Sequence, residues 1–225
     1  MARNILPASD DKLLEANYLI VKGDTDNPGL LPAGLAALIT TDANEFRDSI
    51  LAEKAAQGDA KTAFIVKANL KKPLHANLVK GSDFLKSTGL RTKGERAPWA
   101  LGEELPTVDA DLISIAEVAI ATDAGLPPGD PHKFPAALRT AIQNSHNAFQ
   151  TALIDAGAKK GVAENLVAVK NALRTKNEFN YKTARDSLYS SLPDGKFDAQ
   201  LELFGLDRWD HPVRHRKPPG PPTPP

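Results

Sequence analysis

Cysteine is absent from the 225-residue chain, and that absence alone removes disulfides, thiolate nucleophiles, iron–sulfur clusters and cysteine-type zinc sites. A surplus of charge is missing too, since Lys and Arg number 28 and Asp and Glu also number 28. With neither sign in excess, no long-range field draws in nucleic acid or an anionic membrane surface. No apolar run approaches the roughly 18 residues of a membrane span, so no membrane insertion is expected. The opening MARNILPASDD has one arginine but neither an apolar core nor a small-residue cleavage site, and it does not read as a signal peptide. The expectation is a cytoplasmic or cytoplasmically made protein.

The common chemical signatures are also missing. There is no Gly-x-x-x-x-Gly-Lys-Ser/Thr or Gly-x-Gly-x-x-Gly loop to cradle phosphates, no His-Glu-x-x-His zinc helix, no Gly-x-Ser-x-Gly elbow and no EF-hand loop. His146 falls between Ile142 and Phe149 on one helical stripe and reads as a buried, hydrogen-bonded helix residue rather than a catalyst or ligand. Asp42, Glu45, Asp48 and Glu53 resemble a carboxylate cluster, yet di-iron bundles need paired Glu-x-x-His helices and none is present. They are expected to form a solvated face. His211 and His215 are four apart, but the intervening Pro212 argues against one helix presenting both to a metal. No catalytic residue, cofactor or metal ligand is therefore assigned.

What is present is an ordinary globular composition, 41% hydrophobic and 25% charged, and an internal duplication. Residues 32–70 laid over residues 135–173, at an offset of about 103, match at about twelve of roughly 39 positions, where chance gives about three or four. Among the pairs are Pro32 and Pro135, Ile39 and Ile142, Phe46 and Phe149, Gly58 and Gly161, Val66 and Val169, and Lys67 and Lys170. Leu35, Ile39, Ala43, Phe46 and Ile50 recur at steps of three and four, one face of a helix, and Leu138, Ile142, Phe149 and Leu153 repeat it.

Gly58 and Gly161 each follow a lysine-containing turn and read as helix caps, with Asp59 opening the next helix, so each copy is expected to hold a long helical hairpin. The second arm carries Ala63, Val66, Leu70, Leu74 and Leu78 in copy one. One continuous helix is the alternative, because a glycine inside a helix costs only about 1 kcal/mol. Pro73 predicts a kink or boundary. A shorter helix precedes each hairpin. The first starts at Ser9 and stops at Gly23; the second opens at Asp109 or Asp111 and is apolar all round over 112–121, which predicts deep burial. Short apolar helices ending in Gly-Leu follow at 84–89 and 201–205.

The fold class expected is all-α, a helical bundle of two tandem copies: residues 1–90, a linker at 91–106 in which Trp99 serves as a packing anchor, and residues 107–209. Residues 210–225 form a basic and then proline-rich extended tail. Such a strand loses little entropy on docking, so Arg214, His215, Arg216, Lys217, Pro218, Pro219, Pro221 and Pro222 are the candidate partner-binding residues. The pattern resembles that of bacterial helical-repeat proteins, which implies no activity. A non-enzymatic structural or interaction subunit is expected, with a protein partner or self-assembly and no nucleic acid. The alternative is an enzyme or small-ligand protein with a pocket at the interface of the repeats.

Overall fold

The computed structural model describes residues 6–102 and 104–206, apart from the side chain of Phe197. Among the described residues the chain is all-helical and has no strand. It has four α-helices, α1 (Asp10–Asp26), α2 (Leu35–Ser87), α3 (Asp109–Gly125) and α4 (Ala136–Ser191), and three short 3-10 helices at Ala97–Trp99, Gly195–Phe197 and Ala199–Phe204.

Ser9 starts α1 as expected. Its hydroxyl accepts from Lys12 N at 3.3 Å, and Asp10 and Asp11 lie in the first turn, where the helix dipole favours carboxylates. The helix does not stop at Gly23. It runs to Asp26, and Gly23 is instead a contact point, because a Cβ there would overlap the Phe204 ring. α3 opens at Asp109 but buries one face only, through Leu112, Ala116, Ala119 and Asp123, while Val118 is exposed. Apolar composition all round therefore did not translate into burial all round.

The helical hairpins are a correction. α2 is one helix of 53 residues that passes through Gly58 and Pro73, and α4 is one helix of 56 residues that passes through Gly157 and Gly161. The reason lies in phase. Buried positions Phe46, Ile50, Glu53, Ala60, Ala63, Leu74, Leu78 and Leu85 keep a three-and-four rhythm across Gly58, so a turn there would break a face the chain buries on both sides. Gly58 and Gly161 are not among the residues with positive φ, so neither forms the left-handed cap, and Asp59 sits exposed in mid-helix. Pro73 is no boundary, since the carbonyl it leaves unbonded belongs to Asn69, at an exposed position. Residues 84–87 are the last turn of α2, capped by Gly89 at φ +109 with Leu90 N bonded to Leu85 O. Residues 201–204 do form a short helix, ending at Gly205.

The chain divides into two compact units. Unit 1 joins the described residues up to Glu53 with those from Leu166 onward, and unit 2 is Lys54–Asn165. Unit 1 thus takes α1, the first part of α2, the last part of α4 and the two C-terminal 3-10 helices. Its core holds Ile20, Ile39, Leu188, Leu201 and Phe204, and a neighbouring cluster of Leu13, Leu14, Ala43, Phe46 and Ile50. Unit 2 takes the rest of α2, α3 and the first part of α4, around Leu74, Leu78, Trp99, Leu112, Phe134, Ile142 and Phe149. Phe46 and Phe149 are both fully enclosed, and Trp99 anchors the segment between α2 and α3 as expected. Buried Arg96 ties that segment together by donating to the carbonyls of Leu90, Arg91 and Leu101.

Candidate functional site

The candidate partner-binding residues Arg214 to Pro222 lie outside the described residues, as do His211 and His215. The remaining polar groups form several small constellations on the helices.

In unit 1, α1 begins with Asp10, whose carboxylate meets Lys170 Nζ at 3.3 Å and also pairs with the Arg174 guanidinium, one turn further along α4. Lys170 continues to Glu53 at 2.9 Å and Arg174 to Glu178 at 3.0 Å. The hydrogen bond that Lys170 donates to Glu53, seconded by the one to Asp10, holds its ammonium above its ordinary range. In unit 2, α3 begins with Asp109, which pairs with Lys67 at 2.8 Å and Lys71 at 2.7 Å, one turn apart on α2. Hydrogen bonds from Lys67 and then Lys71 hold the Asp109 carboxyl below the usual carboxylate range.

The loops leaving α1 and α3 close alike. Leu31 N donates to Asp24 Oδ1 at 3.2 Å, and Phe134 N donates to Asp123 Oδ1 at 2.5 Å, with Arg139 Nε at 2.7 Å from the other Asp123 oxygen.

The carboxylates expected as a solvated face divide. Glu45 and Asp48 are exposed, but Asp42 is 1% exposed and Glu53 is also buried, which corrects that expectation. Lys176 lies 2.6 Å from Asp42 Oδ1, and Asn180 donates to Oδ2 at 2.7 Å. The bond to Asp42 raises the Lys176 ammonium above its ordinary value. The cations that allow this burial, Lys176 for Asp42 and Lys170 for Glu53, sit far along the chain on α4, and no local pattern announces them. Beside them, buried Asn17 donates to Asn177 Oδ1 at 3.0 Å, and Asn177 donates to the carbonyls of Asp42 and Leu173 at 3.0 Å. Where unit 1 has Asn180 and Asp42, unit 2 has Asn77 and Ser145, and Asn77 donates to Ser145 Oγ at 3.2 Å.

His146 is buried in α4, as its stripe position predicts. Nδ1 lies 3.2 Å from Asn147 Oδ1 and Nε2 3.5 Å from Glu117. Among the described residues no three His, Asp or Glu side chains converge as metal ligands do. A depression of about 500 Å³ in unit 2 is lined by His75, Ser82, Asp83, Lys86, Leu101 and Glu104. It lies between the end of α2 and the segment before α3, and two of its charged groups, Asp83 and Lys86, already pair at 2.8 Å.

The outward surfaces of the long helices carry large apolar side chains. Leu51 and Ile65 on α2 and Ile154, Val162 and Phe179 on α4 are all more than half exposed. Val66 and Val169, expected on the buried face, also point to solvent. Among the described residues no helix is long and apolar enough to cross a membrane. Comparison of the chain with protein-family models, with curated proteins and with solved structures finds no match.

Proposed function

We propose that the chain is a non-enzymatic structural or protein-interaction subunit, cytoplasmically made and built from two diverged copies of one helical module. The duplication draws support from contacts that repeat along the chain, at an offset of 103 residues on α2 and α4 and of 99 on α1 and α3. Lys67 and Lys71 on Asp109 correspond to Lys170 and Arg174 on Asp10, and Asn77 with Ser145 corresponds to Asn180 with Asp42. The loop bonds Leu31 to Asp24 and Phe134 to Asp123 form a third pair. In the first two sets each contact joins a residue of one copy to a residue of the other. That is the pattern of two modules that exchanged segments and were later fused into one chain.

The observation that carries the interaction reading is that α2 and α4 each leave several large apolar side chains exposed in their interiors, Leu51 at 59% and Ile154 at 68% among them. Singly exposed apolar residues are ordinary, whereas a run of them along helices marks a surface that meets another protein. The proline-rich tail with its cations, from Arg214 to Pro222, is a second element for docking. Purifying the native protein and measuring its mass by light scattering tests the reading. A bound protein or an assembly is expected, and a bare monomer at cellular concentration overturns it. Removing residues 212–225 and repeating the mass measurement then asks whether the tail contributes.

The depression lined by His75, Asp83, Lys86 and Glu104 favours a second reading, a small polar ligand held in unit 2.

A further inference from the structure

We infer that two copies of this chain associate through the backs of their long helices, α2 of one copy lying antiparallel on α4 of the other with Gly58 against Gly161. The inference rests on the interaction reading and names its partner.

At 100° per residue, Ala55, Gly58, Thr62 and Ile65 of α2 share an arc opposite the buried Ala60, Ala63 and Leu74. Ile154, Ala158, Gly161 and Asn165 share the corresponding arc of α4. All eight lie in unit 2. Each arc has small residues at its middle and an isoleucine at one end, Ile65 at 54% and Ile154 at 68% exposed.

The glycines have no explanation inside the chain. Neither Gly58 nor Gly161 takes positive φ, and a Cβ on either would meet nothing within 4 Å. Glycine weakens a helix interior relative to alanine, yet it stands at the equivalent position of both copies. A residue that no neighbour in the chain requires, kept twice, points to a neighbour outside it. Close approach of a second helix backbone is the purpose that glycine serves on a helix face.

Register and charge select the occupant. With Gly58 opposite Gly161 and the helices antiparallel, Ile65, seven residues on, meets Ile154, seven residues back. Lys54, four residues before Gly58, comes beside Glu164, three residues after Gly161, and both lie on the same flank. Pairing α2 with a second α2 would instead bring Lys54 beside Lys61. The chain carries no net charge to oppose self-association.

Sedimentation velocity of the full chain across roughly 1 to 200 μM tests this, a span that covers the micromolar affinities of modest interfaces. The expected mass rises from 24.1 kDa with concentration. Ile154→Glu should weaken association at least tenfold with unchanged helical circular dichroism. Lys54→Glu should weaken it several-fold, and adding Glu164→Lys should restore it. A mass fixed at 24.1 kDa over the range, or association indifferent to Ile154→Glu and to the charge exchange, overturns the inference. If the isolated chain stays monomeric while native material carries a different protein, self-association fails and the interaction reading stands. A monomer with nothing bound in both preparations ends both.

Discussion

Lys67 donates to Asp109 at 2.8 Å, joining the middle of α2 to the first residue of α3, and Lys170 stands in the same relation to Asp10 at the start of α1. A carboxylate in the first turn already interacts favourably with the helix dipole, and two cations one turn apart add charge-assisted bonds. The arrangement fixes where each short helix begins along its long neighbour.

Because Lys67 and Lys71 lower the Asp109 carboxyl in the folded chain, its contribution should depend on pH in one direction. The contribution is fully present above the unfolded carboxylate value of about 4 and is lost as pH falls through the lower folded value. Asp109→Asn should cost about 1 kcal/mol at pH 7, a figure discounted for partial exposure. The gap between wild type and variant should narrow as the pH is taken below the ordinary carboxylate range, in urea titrations run at several pH values. A gap that stays constant down to acid pH would mean that the ion pairs do not stabilise the fold.

Much of the fold is legible from local pattern. Ser9 and Asp10 mark a helix start by their own chemistry, and Phe46 and Phe149 declare themselves core by spacing. The failures share a cause, in that the deciding partner is distant in sequence or the local signal is weak. Gly58 looks like a stop, but one glycine costs too little to interrupt a face kept in phase over 53 residues. Asp42 and Glu53 look like surface, but Lys176, Asn180 and Lys170 come to them from α4. Val66 and Val169 occupy matched positions at the 103-residue offset and both face solvent, so identity at that offset did not distinguish core from exposed surface.

The mid-helix glycines give an opposite pair of expectations. At a concentration that keeps the chain monomeric, Gly58→Ala should raise stability by about 1 kcal/mol, because the helix gains a better former and the new methyl meets nothing within the chain. Gly23→Ala should destabilise, because its Cβ would overlap the Phe204 ring and force the two elements apart. Thermal unfolding followed at 222 nm compares them directly. A loss of stability in Gly58→Ala would mean that the glycine is required within the chain.

Phe46 and Phe149 are each completely buried, in unit 1 and unit 2 respectively. Truncation of either to Ala should cost about 3 to 5 kcal/mol, the usual cost of removing a buried ring and leaving a cavity. Unfolding by urea, read by circular dichroism, gives both values. A change below about 0.5 kcal/mol at either position would contradict its enclosure.

Asn17 and Asn177 occupy the places that Ala116 and Leu74 hold in unit 2, so one core is locked by amides where the other is filled with hydrocarbon. Asn177→Leu alone removes the side-chain acceptor of the Asn17 amide, leaves it only the longer bond to the residue 177 carbonyl at 3.4 Å, and should cost about 1 to 3 kcal/mol, the desolvation cost of an under-satisfied buried polar group. Combining it with Asn17→Ala removes the stranded amide, and the double variant should recover most of that loss. The recovery is the informative quantity, since a double-mutant cycle isolates the pair from the size change at each site. Recovery would mean that the amides contribute register rather than net stability, as a buried polar residue does in a coiled coil. Strict additivity would mean that each asparagine acts through its backbone partners, Asn177 through the carbonyls of Asp42 and Leu173, and that the contact between the two side chains is incidental.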